Sequence, residues 1–336
     1  MTALDLLRDD LPPGLVVRPA TSDDADAVVD LVQRCDLAAT GELDSGRDEI
    51  VGMLTSPLTD PGATVVVLDG ADVVLFVWVE RDDAARETFV DVYADPGRAT
   101  PGLTEAALAH GVRAARDHRA EAGGGRWTAR TGCFATDTGL VSAVEAVGFA
   151  RVRRFWRMRI DLTMTVLPPE QPLPAGVTVR VVHDEAGRRR LHAVVQESFQ
   201  DHWNHNDREF DAWQASLAAM GSDDPNGWWL LEVDGVPAGA CLLDESRSDL
   251  GDGYVRTLGV LREFRGRGLA RALLLRAFRY YRDRGRAGVM LAVDSDSPTG
   301  ANHLYESVGM RPVRVIDAWS LDLDGPDCPP ATRSTR

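Results

Sequence analysis

Residues Tyr254–Leu274 read YVRTLGVLREFRGRGLARALL. The β-like run Tyr254–Val260 enters a turn carrying Arg265, Gly266, Arg267, Gly268, Leu269 and Ala270, and an amphipathic helical pattern begins at once. Such a turn leaves backbone N–H groups unpaired at a helix N-terminus, where the macrodipole favours anions. Glycines at 266 and 268 let the backbone approach a bulky phosphate closely. No Gly-Lys-Ser/Thr follows, so the segment is not a P-loop, and its incomplete G-x-G-x-x-G lacks the acidic residue of a dinucleotide fingerprint. The ligand that this stretch proposes is a pyrophosphate.

The composition narrows the setting. A chain of 336 residues with 44% apolar residues is long enough for two domains with proper cores. Its net charge of −15 argues against nucleic acid or an anionic membrane as main partner. All 37 basic residues are arginine. Nine of them fall between Arg262 and Arg286, against Glu263 and Asp283, a local positive patch on an acidic protein. The four cysteines, Cys35, Cys133, Cys241 and Cys328, show no C-x-x-C spacing and read as reduced thiols of a cytoplasmic protein. The start, MTALDLLRDDL, does not have the form of a signal peptide, and the most apolar stretch, 63–79, is interrupted by Asp69 and Asp72, so no membrane span is expected.

The two halves repeat each other. Val17-Arg18 after Pro-Pro-Gly matches Val179-Arg180 after Pro-Leu-Pro-Ala-Gly. The apolar runs flanking Asp69-Gly70 match those flanking Asp234-Gly235, and each pair reads as a hairpin. Val147-Gly148-Phe149 matches Val308-Gly309-Met310, and Trp156 matches Trp319. The offsets run from 161 to 165, which implies a duplicated unit of about 160 residues. The joint is the proline-rich stretch 166–176, VLPPEQPLPAG. Within each half the pattern runs strand, helix, helix, hairpin, strand, helix, strand, helix, strand.

Arg-x-x-Gly-x-Ala after a strand ending in valine resembles the acyl-CoA-binding motif of the GNAT acyltransferases, and the element order is similar to theirs. The duplicated layout resembles the tandem, mycothiol synthase-like type. The resemblance implies an α/β chain with a mixed sheet and helices on both faces, made of two tandem GNAT folds. Residues 1–163 would form a degenerate first domain, 164–176 a linker, 177–325 the acyl-CoA-binding domain and 326–336 a disordered tail. It implies acetyl-CoA as cosubstrate, held by Leu258, Gly259 and Val260 at the strand end and by Arg265, Gly266, Arg267, Gly268, Leu269, Ala270 and Arg271 at the turn. A backbone N–H near Leu258–Val260 would serve as oxyanion donor.

The halves are unequal. Across the repeat, Arg265, Gly266, Arg267 and Gly268 fall on Ala99, Thr100, Pro101 and Gly102, so one glycine survives and a proline stands where an N–H is needed. A second signature lies in Ala292–Met310. Val289, Leu291 and Val293 alternate as a buried strand. Ser297 reads as an N-cap with Pro298 at the first helical position, and Ala301, Leu304, Tyr305 and Val308 share one helix face ending at Gly309. Tyr305 is turned inward, either as a core tyrosine or, as the resemblance implies, as the acid that protonates the leaving thiolate. The matching residue in the first half is Val144.

The resembled family places a basic glutamate on the strand before the turn, where this chain has Tyr254; Asp252, two residues earlier and on the same face of an extended strand, or a water chain, would replace it. Glu197, Asp201, His202 and His205 lie in the polar stretch ESFQDHWNHNDREF, which borders the acceptor cleft in such folds. His202 and His205 read as base, substrate ligands or a metal pair at i, i+3, or else as a solvated loop with Trp203 packed down. Arg151–Arg159 reads as a strand with one solvated face, and Arg188–Arg190 as a helix surface. The expectation is an acetyl-CoA-dependent N-acetyltransferase acting on a small-molecule amine, with no metal, as a monomer or homodimer. The alternative is a non-catalytic acyl-CoA-binding module.

Overall fold

The computed structural model describes residues 3–169, 171–203, 207–219, 224, 226–297 and 300–323. The first half runs α1 (Ala3–Asp10), β1 (Leu15–Pro19), α2 (Ala25–Thr40), α3 (Arg47–Thr55), β2 (Val65–Asp69), β3 (Asp72–Asp82), β4 (Glu87–Ala94), α4 (Pro101–Glu121), β5 (Thr128–Phe134), α5 (Thr138–Val147) and β6 (Ala150–Asp161). The second runs β7 (Val177–Val181), α6 (Glu185–Ser198), α7 (Phe210–Ala219), β8 (Trp228–Val233), β9 (Val236–Asp244), β10 (Asp252–Val260), α8 (Leu269–Asp283), β11 (Gly288–Asp294), α9 (Ala301–Ser307) and β12 (Arg311–Asp322). The expected order therefore occurs twice. Helix α1 is extra, and Leu7 on it is fully buried against the first core.

All twelve strands share one mixed sheet, ordered β1-β2-β3-β4-β5-β12-β6-β11-β10-β9-β8-β7. The order is a palindrome about the β12–β6 pair. Each half lends its last strand to the other: β12 pairs with β5 (Ile316 opposite Phe134), and β6 pairs with β11 (Gly288 opposite Asp161). The cores follow the exchange. Met158 and Ile160 of β6 pack with Leu273, Phe278 and Tyr305, whereas Trp319 of β12 packs with Leu108, Trp127 and Val144.

Alternation along the strands splits each half into two apolar layers, one per sheet face. Val65, Val67 and Val77 face α4, while Val66 and Phe76 face α2 and α3. Trp229, Leu231 and Cys241 face α8, while Trp228, Leu230 and Leu242 face α6 and α7. The hairpin turns sit at Gly70 (φ 63°), and at Asp234 and Gly235 (φ 51° and 80°), the latter pair both left-handed as a two-residue hairpin requires.

The one parallel pairing in each half is short. Strand β4 pairs with β5 only from Glu87–Thr128 to Phe89–Arg130, and β10 pairs with β11 only from Asp252–Gly288 to Tyr254–Met290. Beyond these three residues the strands part, opening a V-shaped gap in each half. The two gaps position everything that follows.

Strand β6 forms as expected, with Met158 and Ile160 inward, but its arginine face is not simply solvated. The strand lies at the centre of the sheet, and its arginines bind carboxylates of other elements: Arg154 with Asp317 (2.7 and 2.8 Å), Arg157 with Asp44 (3.0 Å) and Arg159 with Asp252 (2.7 and 2.8 Å). The strand exchange, invisible in a local pattern, supplies Asp317 and Asp252, and the loop after α2 supplies Asp44. Among the described residues no helix is long and apolar enough to cross a membrane, and Cys35, Cys133 and Cys241 are free thiols. Cys328 and the 326–336 tail lie outside the described residues.

Candidate functional site

The second gap opens into a cavity of about 340 Å3. Its walls include Leu258, Gly259 and Val260 from β10, Arg265, Gly266, Gly268, Leu269, Ala270 and Arg271 from the turn and the start of α8, and Tyr305 from α9. His202 closes it from the segment after α6. The two sequence signatures, about 40 residues apart, thus meet in one cleft. Ser198 and Phe199, from the polar stretch expected at the cleft, also line it, and so do Phe264, Ala301 and Leu304, which were not anticipated as walls because apolar wall residues carry no motif.

The turn leaves backbone amides open. Gly268 is the N-cap of α8 in the left-handed region (φ 76°), with no side chain to satisfy the amides ahead of it. The first helix bond is Ala272 N–H to Gly268 O at 3.0 Å, so the N–H groups of Leu269, Ala270 and Arg271 have no partner within the helix. Arg265 shapes the turn: its Nε donates to Val260 O (3.0 Å) and its Nη2 to Ser198 O (3.2 Å). Gly259 is needed for contact, since a Cβ there would lie 2.2 Å from Ser198 Oγ. Arg267 is exposed outside the cavity, near the Phe264 ring. The broad arginine patch narrows as well, for Arg276 and Arg284 lie over Trp229 and Tyr280, Arg279 donates to Pro168 O, and Arg286 pairs with Glu245.

Helix α9 starts later than expected. Gly300 (φ 67°) is its N-cap, so Ser297 lies three residues ahead of the cap, and Pro298 is outside the described residues. The inward face is as expected, with Tyr305 and Val308 each 8% exposed. Burial, with smaller contributions from Cys241 and Tyr254, pushes the Tyr305 phenol well above its ordinary range. The hydroxyl therefore keeps its proton at neutral pH and is a donor.

Strand β10 does extend back to Asp252, but the structure keeps that residue out of the cleft. A bulge falls between Val255 and Thr257, and Asp252 sits beyond the apex of the gap, 6% exposed and gripped by both nitrogens of the Arg159 fork. Tyr254 stands at the apex. Its hydroxyl accepts from Arg157 Nη1 (2.8 Å), and Arg157, Arg247 and Arg256 lie 5.0–5.8 Å from its ring centre. Neither residue lines the cavity. The lock comes from the first half: Asp44, 2% exposed in the loop after α2, faces Arg157 (3.0 Å), Arg314 (3.2 Å) and Arg247 (3.6 Å). Burial raises the Asp44 pKa, but the three guanidinium groups outweigh it and hold the carboxyl below its ordinary range.

The polar segment after α6 makes the reciprocal crossing. Trp203 packs near Phe155 (6.2 Å), with Arg130 at 4.8 Å and Arg153 at 5.8 Å from its ring, and Arg208 pairs with Asp82 of β3 at 2.7 Å. Phe199 stacks on His202 at 4.4 Å, and Asp201 pairs with Arg262 at 2.5 Å. Glu197 is exposed on α6 away from the cavity, and His205 lies outside the described residues. Among the described residues no cluster of His, Cys, Asp and Glu could hold a metal ion.

Residues 188–310 match the model of the acetyltransferase (GNAT) family. A mycothiol acetyltransferase of Pseudarthrobacter chlorophenolicus is 30% identical over 285 residues, covering 81% of this chain and 79% of that protein. The chain belongs to the GNAT acetyltransferase family. A mycothiol acetyltransferase of Thermobispora bispora is 33% identical over 190 residues, covering 52% of this chain and 58% of the relative, little more than half its length. A crystal structure of a GCN5-related N-acetyltransferase from Sphaerobacter thermophilus superposes with a TM-score of 0.76 at 26% identity, covering 93% of this chain and 96% of that one. The fold is thus that of GNAT proteins across both halves, while the family model covers the second half alone.

Proposed function

We propose that the chain transfers an acetyl group from acetyl-CoA to the amine of a small molecule, and that the reaction runs in the second-half cleft. One observation carries this reading: the unpaired amides at the start of α8, the edge of β10 and the Tyr305 hydroxyl all front the same cavity. The pyrophosphate would lie against the N–H groups of Leu269–Arg271, with Arg271 adding charge and Arg265 holding the turn in shape. The pantetheine arm would follow Val260, Gly259 and Leu258 into the gap, where a β10 N–H donates to the thioester oxygen as negative charge builds on it. The amine attacks that carbonyl carbon, the tetrahedral intermediate collapses, the C–S bond breaks and the sulfur leaves as thiolate. Tyr305 donates its proton to the sulfur.

An amine with a pKa of about 10 must first lose a proton. Asp252 and Tyr254 are committed to Arg159 and Arg157, so His202, on the cavity wall, is the titratable side chain placed to take it. The names of the relatives make a mycothiol-related amine the first acceptor to try. The test is thiol release from acetyl-CoA across an amine panel, with wild type beside Tyr305→Phe. Turnover that the variant loses while still binding coenzyme A supports the reading. Full activity in Tyr305→Phe overturns the acid assignment, and coenzyme A binding without turnover of any amine favours the non-catalytic module.

A further inference from the structure

The gap in the first half also opens into a cavity, and it is the larger of the two, about 570 Å3. It occupies the equivalent place, between the diverging ends of β4 and β5, beneath α2 and beside the starts of α4 and α5. Its chemistry is reversed. The start of α4 offers a phosphate little: Pro101 is the first helical residue and has no N–H, and the Thr100 side chain caps the helix by accepting from Leu103 N–H at 3.3 Å. The turn from Ala94 to Pro101 is also two residues shorter than that from Val260 to Leu269, six residues (95–100) against eight (261–268). Carboxylates replace the arginines. Asp36, Asp91 and Asp137 line the cavity, and among the described residues none of the three has a basic side chain within ion-pair distance. Asp36 accepts the backbone N–H groups of Asp44 and Ser45, with the Ser45 hydroxyl beside it, and Asp137 accepts the Leu140 N–H. Asp91 has only long 3.4 Å contacts, from Thr131 Oγ1 and Gly132 N–H. The one guanidinium on the wall, Arg157, is committed to Asp44 and Tyr254.

We propose that this first-half cavity is a binding site for an extended organic amine carrying two or more ammonium groups. The warrant is a roomy, partly open cavity together with three wall carboxylates that have no basic partner among the described residues. No three of these groups come close enough to share a metal ion, which argues for a ligand that spreads its positive charge over several ångströms. Each ammonium brings three N–H donors to carboxylates whose present partners are uncharged. Burial raises the Asp91 carboxyl to about 6 and raises that of Asp36, with hydrogen bonds opposing it in each case and no cation among the main causes. Burial likewise pushes the Cys35 and Cys133 thiols on the same wall up to about 12, with smaller contributions from nearby carboxylates. The site needs no turnover in the second half and stands apart from that reading.

The test titrates the full chain with putrescine and spermidine, and with 1,4-butanediol as neutral isostere, by calorimetry and by thermal shift, each with and without saturating coenzyme A. The expected result is one diamine site per chain, no heat from butanediol, and binding weakened about tenfold or more by Asp91→Asn and by Asp36→Asn. Both variants keep the shape of the side chain, and an unchanged coenzyme A titration reports that they are folded. Absence of diamine binding at millimolar concentration overturns the proposal. So does diamine binding that coenzyme A abolishes, and so does a coenzyme A stoichiometry of two, which would make the cavity a second acyl-CoA site. Failure of coenzyme A to bind at all, with diamine binding intact, counts against the second-half reading and leaves this one standing.

Discussion

Two helix starts, α4 and α8, stand at the same place in duplicated folds and do opposite things. Helix α8 begins after a left-handed glycine, with its first amides uncapped and arginines beside it. Helix α4 begins with a threonine cap and a proline, and carboxylates line the space in front of it. A capped helix end is satisfied by its own chain, and an uncapped one needs something else to satisfy it. The difference teaches that the ability to hold a phosphate lies in a handful of residues at the turn, while the gap between the strands belongs to the fold. The gap is present in both halves, and the uncapped helix start on which the phosphate proposal rests is present in only one.

The largest expected effect tests the other member of that pair, Tyr305 against Val144. Tyr305→Phe should lower kcat by about 1,000-fold, the middle of the range for a lost general acid, with the KM for acetyl-CoA within about twofold. Steady-state kinetics with a confirmed acceptor decide it. A matched fall in affinity would instead make Tyr305 a wall of the binding site.

Next comes the contact that ties the halves together. Asp44→Ala leaves Arg157, Arg247 and Arg314 facing one another without their shared carboxylate, and breaking such a buried pair costs about 3 kcal/mol. Denaturant unfolding should show that loss as a single transition, because the exchanged strands β6 and β12 place each half's core partly in the other's chain. Two separated transitions would show that the halves unfold independently in spite of the exchange.

Much of this was legible in the sequence, and the reasons are local. The element order, the Asp-Gly hairpins, the α8 turn and the inward face of Tyr305 each depend on residues close together in the chain. What sequence could not supply was pairing between distant segments. The exchange of β6 and β12 is one case, and it helps to explain why the arginine face of Arg151–Arg159 reads as solvated when Arg154, Arg157 and Arg159 are ion-paired. Asp252 is the sharpest case. Its spacing on the strand is right for a base, yet Arg159, 93 residues away in the chain, occupies both its oxygens. The two-residue difference in turn length shifts the comparison of the turns as well. Matched at their helix starts, Gly268 lies on Thr100 and Leu269 on Pro101, so Gly102 falls inside α4 and is no remnant of the phosphate glycines.

That corrected match defines the third test. Gly268→Thr with Leu269→Pro puts the α4 residues at the start of α8, displacing a left-handed cap (φ 76°, against −104° at Thr100) and deleting one donor. The loss of two charge-assisted hydrogen bonds should raise the Kd for coenzyme A by about 100-fold. Calorimetry on the double variant reads it, and unchanged affinity would mean that the amides ahead of Gly268 are not the phosphate site.

The smallest effect separates the halves by pH. On β3, burial pushes Glu80 up to about 7, with Asp82 and Asp91 adding and Arg208 opposing. In the unfolded chain a glutamate titrates near about 4.3, so between that value and 7 the folded protein holds a proton that the unfolded chain has released. Stability from this group is therefore complete below pH 4 and is lost as pH rises through 7. Glu80→Gln removes the loss, and the variant should gain about 2.5 kcal/mol on wild type between pH 5 and pH 8. The second half has Asp244 at the matching place opposite Tyr254, as Glu80 stands opposite Phe89, and there Arg256 outweighs burial and holds the carboxyl low. Asp244→Asn should therefore shift stability the other way, costing the protein more at pH 8 than at pH 4. Unfolding curves for both variants across that range carry the sign directly, and parallel slopes would mean that the two halves do not differ in charge as their clefts do.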